Sequence, residues 1–230
     1  MPSEIKNDFD NFIRQQIDTG SPELFMPVST RKVKSKKMKG LAIDKFAECE
    51  SLEQLDLTIN TCQKCVLGRT RTKFVFGTGN PDADIMFIGE APGGDEDMQG
   101  IPFVGRAGKL LDKMLIEVGV RRADVYIANI LKCRPPNNRD PLPDEIDACE
   151  PYLHMQIKLI KPKVICSLGR IAAQTLLKTN MTLGAMRGRW FDYRGIKFMV
   201  TYHPAAILRS QSYLPAALDD LRKLISEAGK

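Results

Sequence analysis

The 230-residue chain has no apolar run approaching the ~18 residues of a membrane span. Its N-terminus, MPSEIKNDFDNF, lacks the apolar segment of a secretory signal. A soluble, cytoplasmic protein is therefore expected. Nucleotide-phosphate signatures are missing as well. The turn GEAPGGD at 89–95 has Asp95 where the pattern G-x-x-x-x-G-K-[ST] requires lysine, and G-x-G-x-x-G is absent. No nucleotide cofactor is expected. Histidine is scarce, with only His154 and His203. Neither has a cysteine or serine obviously paired with it, which argues against a catalytic triad.

What is present is ordinary globular material, with 43% hydrophobic and 27% charged residues, enough for one sizeable core. The net charge of +6 is concentrated: residues 31–39, RKVKSKKMK, hold six cations and no acid, so the remainder is close to neutral. Residues 1–45 thus read as a basic, flexible leader, either a solvated tail or a non-specific anchor to nucleic acid. In a reducing compartment the six cysteines do not suggest a disulfide framework. Cys62 and Cys65 form C-x2-C, and Cys133 and Cys149 are separated by fifteen intervening residues. Four thiolates complete a tetrahedral set, and their spacing leaves zinc and an iron–sulfur cluster both open. Cys166, within the apolar run VICSLG, reads as a core residue, and Cys49, on a polar helix, as incidental.

Apolar periodicity predicts strands over 84–89, 125–131, 164–168 and 197–202. Helices are predicted over 44–60, 107–118, 143–160, 171–178 and 215–228, with a loop or hairpin over 180–196. The alternation implies an α/β protein: a three-layer α/β/α sandwich around a mainly parallel four-stranded sheet, one domain over 46–230. In such sheets ligands bind beyond the carboxyl ends of the strands. GEAPGG, NILKCRPP and HPAAILR all fall at strand ends, so the topology brings Glu90, Asn129 and His203 to one rim.

The first of these turns carries Glu90 and is followed by Asp95, Glu96 and Asp97. Backbone N–H groups beside acids suit a neutral hydrogen-bonding ligand, or a reaction that develops positive charge, and suit a polyphosphate poorly. His203 ends a strand and precedes a proline, which blocks further regular pairing. A buried structural histidine is its alternative. His154, mid-helix, reads as a surface or satisfied histidine.

GEAPGGDEDMQGIPFVGRAGKLL, YIANILKCRPPNNRDPLP and TYHPAAILR together resemble the family 4 uracil-DNA glycosylases, the iron–sulfur type, from about Thr61 to the C-terminus. The resemblance implies a monofunctional enzyme that flips uracil out of DNA and hydrolyses its N-glycosidic bond. Gly89, Glu90 and Ala91 would meet the base through backbone N–H groups. Phe103 would stack on it, although a core phenylalanine is the pattern's own alternative. Asn129 would read its pyrimidine edge, and His203 would hydrogen-bond O2. Glu90 and His203 are the implied catalytic residues, Glu96 a pocket wall excluding the thymine methyl, and Ile207, Leu208 and Arg209 a wedge with a phosphate contact. Cys62, Cys65, Cys133 and Cys149 would hold a 4Fe-4S cluster, structural or DNA-positioning, that pins 134–143 beside Asn129, with no catalytic metal. Partners implied are uracil-containing DNA, single- or double-stranded, with a sliding clamp or other repair protein as a candidate. A monomer without membrane contact is expected. Two other readings remain: a uracil- or abasic-DNA sensor with little turnover, and a zinc hydrolase, for which four cysteines would close the metal site.

Overall fold

The computed structural model describes residues 45–230. The leader expected over 1–45, with its lysine run, lies outside them except for Lys45. Among the described residues six strands form one sheet: β1 (Thr78–Gly79), β2 (Ile85–Gly89), β3 (Tyr126–Asn129), β4 (Val164–Leu168), β5 (Trp190–Tyr193) and β6 (Ile196–Thr201). Their order is β1-β3-β2-β4-β6-β5. The central four, β3, β2, β4 and β6, run parallel and are the four expected. The edge strands β1 and β5 are antiparallel, so the four-stranded sheet is corrected to six. β1 has two residues, too few for any period to register. β5 forms a hairpin with β6 through Arg194 and Gly195, both at positive φ. Arginine is not a residue that announces such a turn.

The central strands are buried on both faces, and alternate residues serve different cores. Met86 and Ile88 of β2 pack with Ala128, Ile165, Phe198 and Leu153, whereas Ile85 and Phe87 pack with Ile127, Cys166, Met199 and Leu115. Cys166 is a core residue, as expected. The main helices are α1 (Leu52–Ile59), α2 (Gly94–Gln99), α3 (Arg106–Glu117), α4 (Pro143–Ile160), α5 (Arg170–Leu177), α6 (Pro204–Arg209) and α7 (Leu214–Ala228). α1, α4 and α5 cover the first face, and α3, α6 and α7 the second. The helix expected over 44–60 divides into a 3-10 turn, Lys45–Glu48, and α1. Ser51 causes the break: its side chain accepts the Gln54 N–H (3.2 Å) and starts a new helix. No helix among the described residues is long and apolar enough to cross a membrane.

Candidate active site

The carboxyl ends of β2, β3, β4 and β6 open on a cavity of about 520 Å³. Glu90, Ala91, Glu96, Phe103, Asn129 and His203 all line it. Gly89 lies beneath, paired in register with Asn129. A Cβ at Gly89 would sit 2.4 Å from Asn129 Oδ1 and 2.6 Å from the Phe103 ring. Glycine is therefore what lets those two side chains occupy the cavity floor.

Asn129 is 2% exposed, and its Oδ1 is buried with no hydrogen-bond donor. Leaving a buried acceptor unpaired costs ~1–3 kcal/mol. The Asn129 main-chain carbonyl, by contrast, is held by the fully buried Lys132, whose Nζ donates to it (2.9 Å) and to Gln156 Oε1 (2.6 Å). The backbone of Asn129 is thus secured while its side-chain oxygen is left for something else.

His203 caps α6. Its Nδ1 accepts the Ala205 N–H (3.1 Å), so in the neutral ring the proton sits on Nε2. Burial above all, and then the Arg209 charge, push its pKa down to about 4, against the opposing pull of Glu96. The imidazole is neutral at physiological pH and keeps one N–H to give. Glu90 is displaced the other way. Burial first, then Asp140, push its carboxyl up to about 7, with Arg170 opposing. Asp140 and Arg170 both line the cavity, and Arg170 Nη2 lies 3.8 Å from Asp140 Oδ2. The sequence reading missed this pair. Arg170 follows the β4 end, SLGR, a fourth rim cluster that could have been counted with the other three.

The four acids of the turn disperse to different tasks. Glu90 faces the cavity and Asp95 is exposed. Asp97 is buried and accepts the Thr72 N–H (2.9 Å). Glu96 lines the cavity, but its carboxylate accepts the N–H groups of Gly93 (3.1 Å), Val104 (2.9 Å) and Gly105 (2.9 Å). Phe103 sits on the loop these bonds organise, 6% exposed, its ring centroid 5.6 Å from that of His203. It belongs to the second core and also lines the cavity.

Arg209 is exposed at the cavity edge and Leu208 is half-buried. Ile207 is fully buried where α6 packs on α3, which removes it from the expected wedge. His154 is partly buried, with Nε2 3.3 Å from Glu150 Oε1 but without hydrogen-bond alignment.

Cys133 and Cys149 are buried and Cys62 and Cys65 half-buried. Cys133 lies within electrostatic reach of Cys62 and Cys65, as Cys149 does of Cys133 and Cys65. Donors surround the sulfurs. Lys132 N–H points to Cys149 Sγ (3.2 Å), Arg71 Nη1 to Cys133 Sγ (3.3 Å), and the Lys64 N–H (3.4 Å) and Tyr152 hydroxyl (3.2 Å) to Cys62 Sγ. Burial pushes the Cys149 thiol up to about 12 and raises that of Cys133. Among the described residues no group of three or more His, Cys, Asp or Glu side chains is arranged as a metal site.

The uracil DNA glycosylase superfamily model matches residues 76–223. The chain is 45% identical over 189 residues to a type-4 uracil-DNA glycosylase of Archaeoglobus fulgidus, covering 79% of this chain and 95% of that protein. It is 48% identical over 185 residues to the type-4 enzyme of Saccharolobus solfataricus (75% and 86% covered). It is 43% identical over 180 residues to that of Thermotoga maritima (77% and 91% covered). With that match spanning every strand-end motif of the rim, the chain belongs to the uracil DNA glycosylase superfamily.

Proposed function

We propose that this chain flips uracil out of DNA into the cavity and hydrolyses the bond between uracil N1 and the deoxyribose C1′, leaving an abasic site for repair. One observation carries the reading beyond family membership: Asn129 Oδ1 is a buried acceptor without a donor, in a cavity shared with a neutral His203 that has one N–H to give. Uracil supplies the complement, a donor at N3 and an acceptor at O2. Cytosine has no N–H at N3, so Asn129 Oδ1 would stay unpaired, and mispaired buried polar groups discriminate by ~10⁴ or more.

In the reaction the C1′–N1 electron pair leaves with uracil and spreads onto O2, where the His203 Nε2–H stabilises it. The sugar becomes cation-like, and a Glu90 carboxylate offsets that charge. Water oxygen bonds to C1′, and Glu90 in its carboxylate form takes the water's proton. Phe103 holds the base by stacking. Leu208 and Arg209 are the wedge and phosphate contact, and the basic leader adds non-specific attraction to DNA. The reading carries a cytoplasmic monomer.

Cys62, Cys65, Cys133 and Cys149 are the residues that would hold a 4Fe-4S cluster. The donor set fits it: four thiols from three chain segments, N–H and O–H groups aimed at three of the sulfurs, and buried thiols that stay protonated unless a bound metal draws off the proton. When bound, such a cluster would tie Cys62 and Cys65 to the strand-end segment after β3 and to α4. The chain's own bonds fix the segment between: Arg139 pairs with the buried Glu145 (2.9 and 2.6 Å), and Arg134 with Asn138 (2.8 Å).

The test is a labelled single-stranded oligonucleotide carrying one uracil, incubated in EDTA and then treated with alkali, alongside iron and sulfide analysis. Alkali-dependent cleavage at uracil, absent with thymine or cytosine there, is expected. His203→Ala and Asn129→Ala should each lower the rate by at least ~10²-fold with the folded fraction unchanged. Tight binding without cleavage would favour the sensor reading, and near-wild-type turnover in both variants would overturn the site.

A further inference from the structure

Phe103 presents its ring from a left-handed backbone, φ 52. For a residue with a Cβ this conformation costs ~1–2 kcal/mol, so something must hold it. The holding groups are charged and lie on opposite sides of the loop. Arg122, nineteen residues away, donates Nη1 to the Phe103 carbonyl (3.0 Å) and Nη2 to the Pro102 carbonyl (2.6 Å). Its Nη1 also meets Asp112 Oδ1 (2.9 Å), on α3. From the other side, Glu96 Oε1 accepts the N–H groups of Val104 and Gly105. The peptide plane between Phe103 and Val104 is therefore gripped at both ends, its oxygen by a guanidinium and its N–H by a carboxylate. Hydrogen bonds to ionised groups are about twice as strong as neutral ones. Gly108 of α3 closes the third side: a Cβ there would lie 1.9 Å from the Phe103 oxygen.

We propose that Arg122, locked by Asp112, is a positioning residue that works with Glu96 to set the plane of the Phe103 stacking platform. Neither Arg122 nor Asp112 lines the cavity, so both act only through the backbone they hold. The inference rests on the proposed role of Phe103 against the base. A stacking platform binds ground and transition states alike, so its misplacement appears in KM, whereas loss of the His203 donor appears in kcat. Lysine is a poor substitute at position 122, because only a planar fork reaches two carbonyls and a carboxylate at once.

The experiment measures uracil release from single-stranded oligonucleotide, and thermal unfolding, for Arg122→Met, Arg122→Lys, Phe103→Ala and the Phe103→Ala/Arg122→Met double variant. Phe103→Ala should raise KM by about 5- to 150-fold, the range of one lost base stack. Arg122→Met should raise KM on the order of 10-fold, within that range, with kcat changed less than about 2-fold, and Arg122→Lys should fall between. On the Phe103→Ala background Arg122→Met should add less than about 2-fold to KM, yet lower the unfolding temperature as much as it does alone. A KM effect that persists undiminished without the ring overturns the proposal, as does a fall in kcat at unchanged KM. A wild-type KM in Phe103→Ala instead overturns the stacking role itself, a distinct result. If Arg122→Met does not fold, Asp112→Asn loosens the same guanidinium and should give a smaller KM rise that also vanishes on the Phe103→Ala background.

Discussion

Glu90 and His203 line the same cavity, and burial drives both toward their neutral forms, the carboxyl up to about 7 and the imidazole down to about 4. The consequences differ because only one of the two reaches the working range. His203 stays neutral from pH 5 to 8 and contributes no limb to the rate profile there. In the proposed reaction Glu90 acts as a carboxylate, so kcat/KM should rise with pH through about 7 and level off. Glu90→Gln should lower the rate and remove that limb, and a limb that survives the substitution would assign it to another group. The same shift acts on stability. The folded pKa of Glu90 lies above the ordinary 4.5, so its favourable contribution is complete below pH 4.5 and is lost as pH rises through about 7. Glu90→Gln should thus raise the unfolding temperature by a few °C at pH 8 and by less at pH 4.5, the mark of a residue kept for chemistry at a cost in stability. His203 works in the opposite sense: its folded pKa is depressed, so that contribution is present above 6.5 and fades as pH falls toward 4.

At the scale of elements, α3 is joined to the cavity by contact with backbone. Gly108 sits inside the helix, where replacing glycine by alanine ordinarily stabilises by ~0.5–1 kcal/mol. Here the added Cβ would meet main-chain atoms of Phe103 at 1.9 and 2.0 Å, which no rotamer relieves. The sign should therefore reverse: Gly108→Ala is expected to destabilise by ~1–3 kcal/mol, the usual cost of overpacking. It should also weaken uracil binding by moving the platform, measured by thermal melting and by KM on the same oligonucleotide. A neutral or stabilising outcome would mean that α3 shifts freely and does not register the loop. α2 shows the same coupling from the other side. Its six residues, GDEDMQ, contribute Glu96 to the loop that carries Phe103 and Asp97 to the Thr72 N–H. A short helix in this position is a clamp for two chain segments, and two of its three acids, Glu96 and Asp97, accept backbone N–H groups.

For the whole molecule, charge is divided between a near-neutral body and the run at residues 31–39. Counterion release makes this division measurable, since each phosphate neutralised contributes ~0.9 to the salt slope on duplex and ~0.7 on single strands. Replacing Arg31, Lys32, Lys34, Lys36, Lys37 and Lys39 by glutamine in the full chain should reduce the slope of log K against log salt by up to ~4–5. The kcat for uracil release should be unchanged. An unaltered slope would mean that the body, through Arg209 and its neighbours, supplies all the phosphate contacts.

The parallel order of the central strands, the helices at 143–160 and 215–228, and the convergence of Glu90, Asn129 and His203 on one rim were legible in the sequence. Each follows from local periodicity and from a general rule of parallel sheets. The resemblance also pointed to Phe103, which does line the cavity. What escaped the sequence depends on contacts across long separations. The edge strands β1 and β5 depend on their neighbours for pairing, because two residues, or four with a half-exposed pattern, carry no period of their own. Ile207 reads as one of three plausible wedge residues until α6 is packed on α3 and only Leu208 and Arg209 remain accessible. The protonation of His203 needed the Ala205 N–H, the burial and the Arg209 charge together. The hold on Phe103 joins residues 96, 103 and 122, whose meeting no spacing encodes. Sequence by itself determined which chemistry is available at the rim, since that depends on residue type and strand ends. Tertiary structure alone decided which acids face the cavity, which proton the histidine carries and what fixes the aromatic ring, since burial and hydrogen-bond partners arise only when distant segments pack.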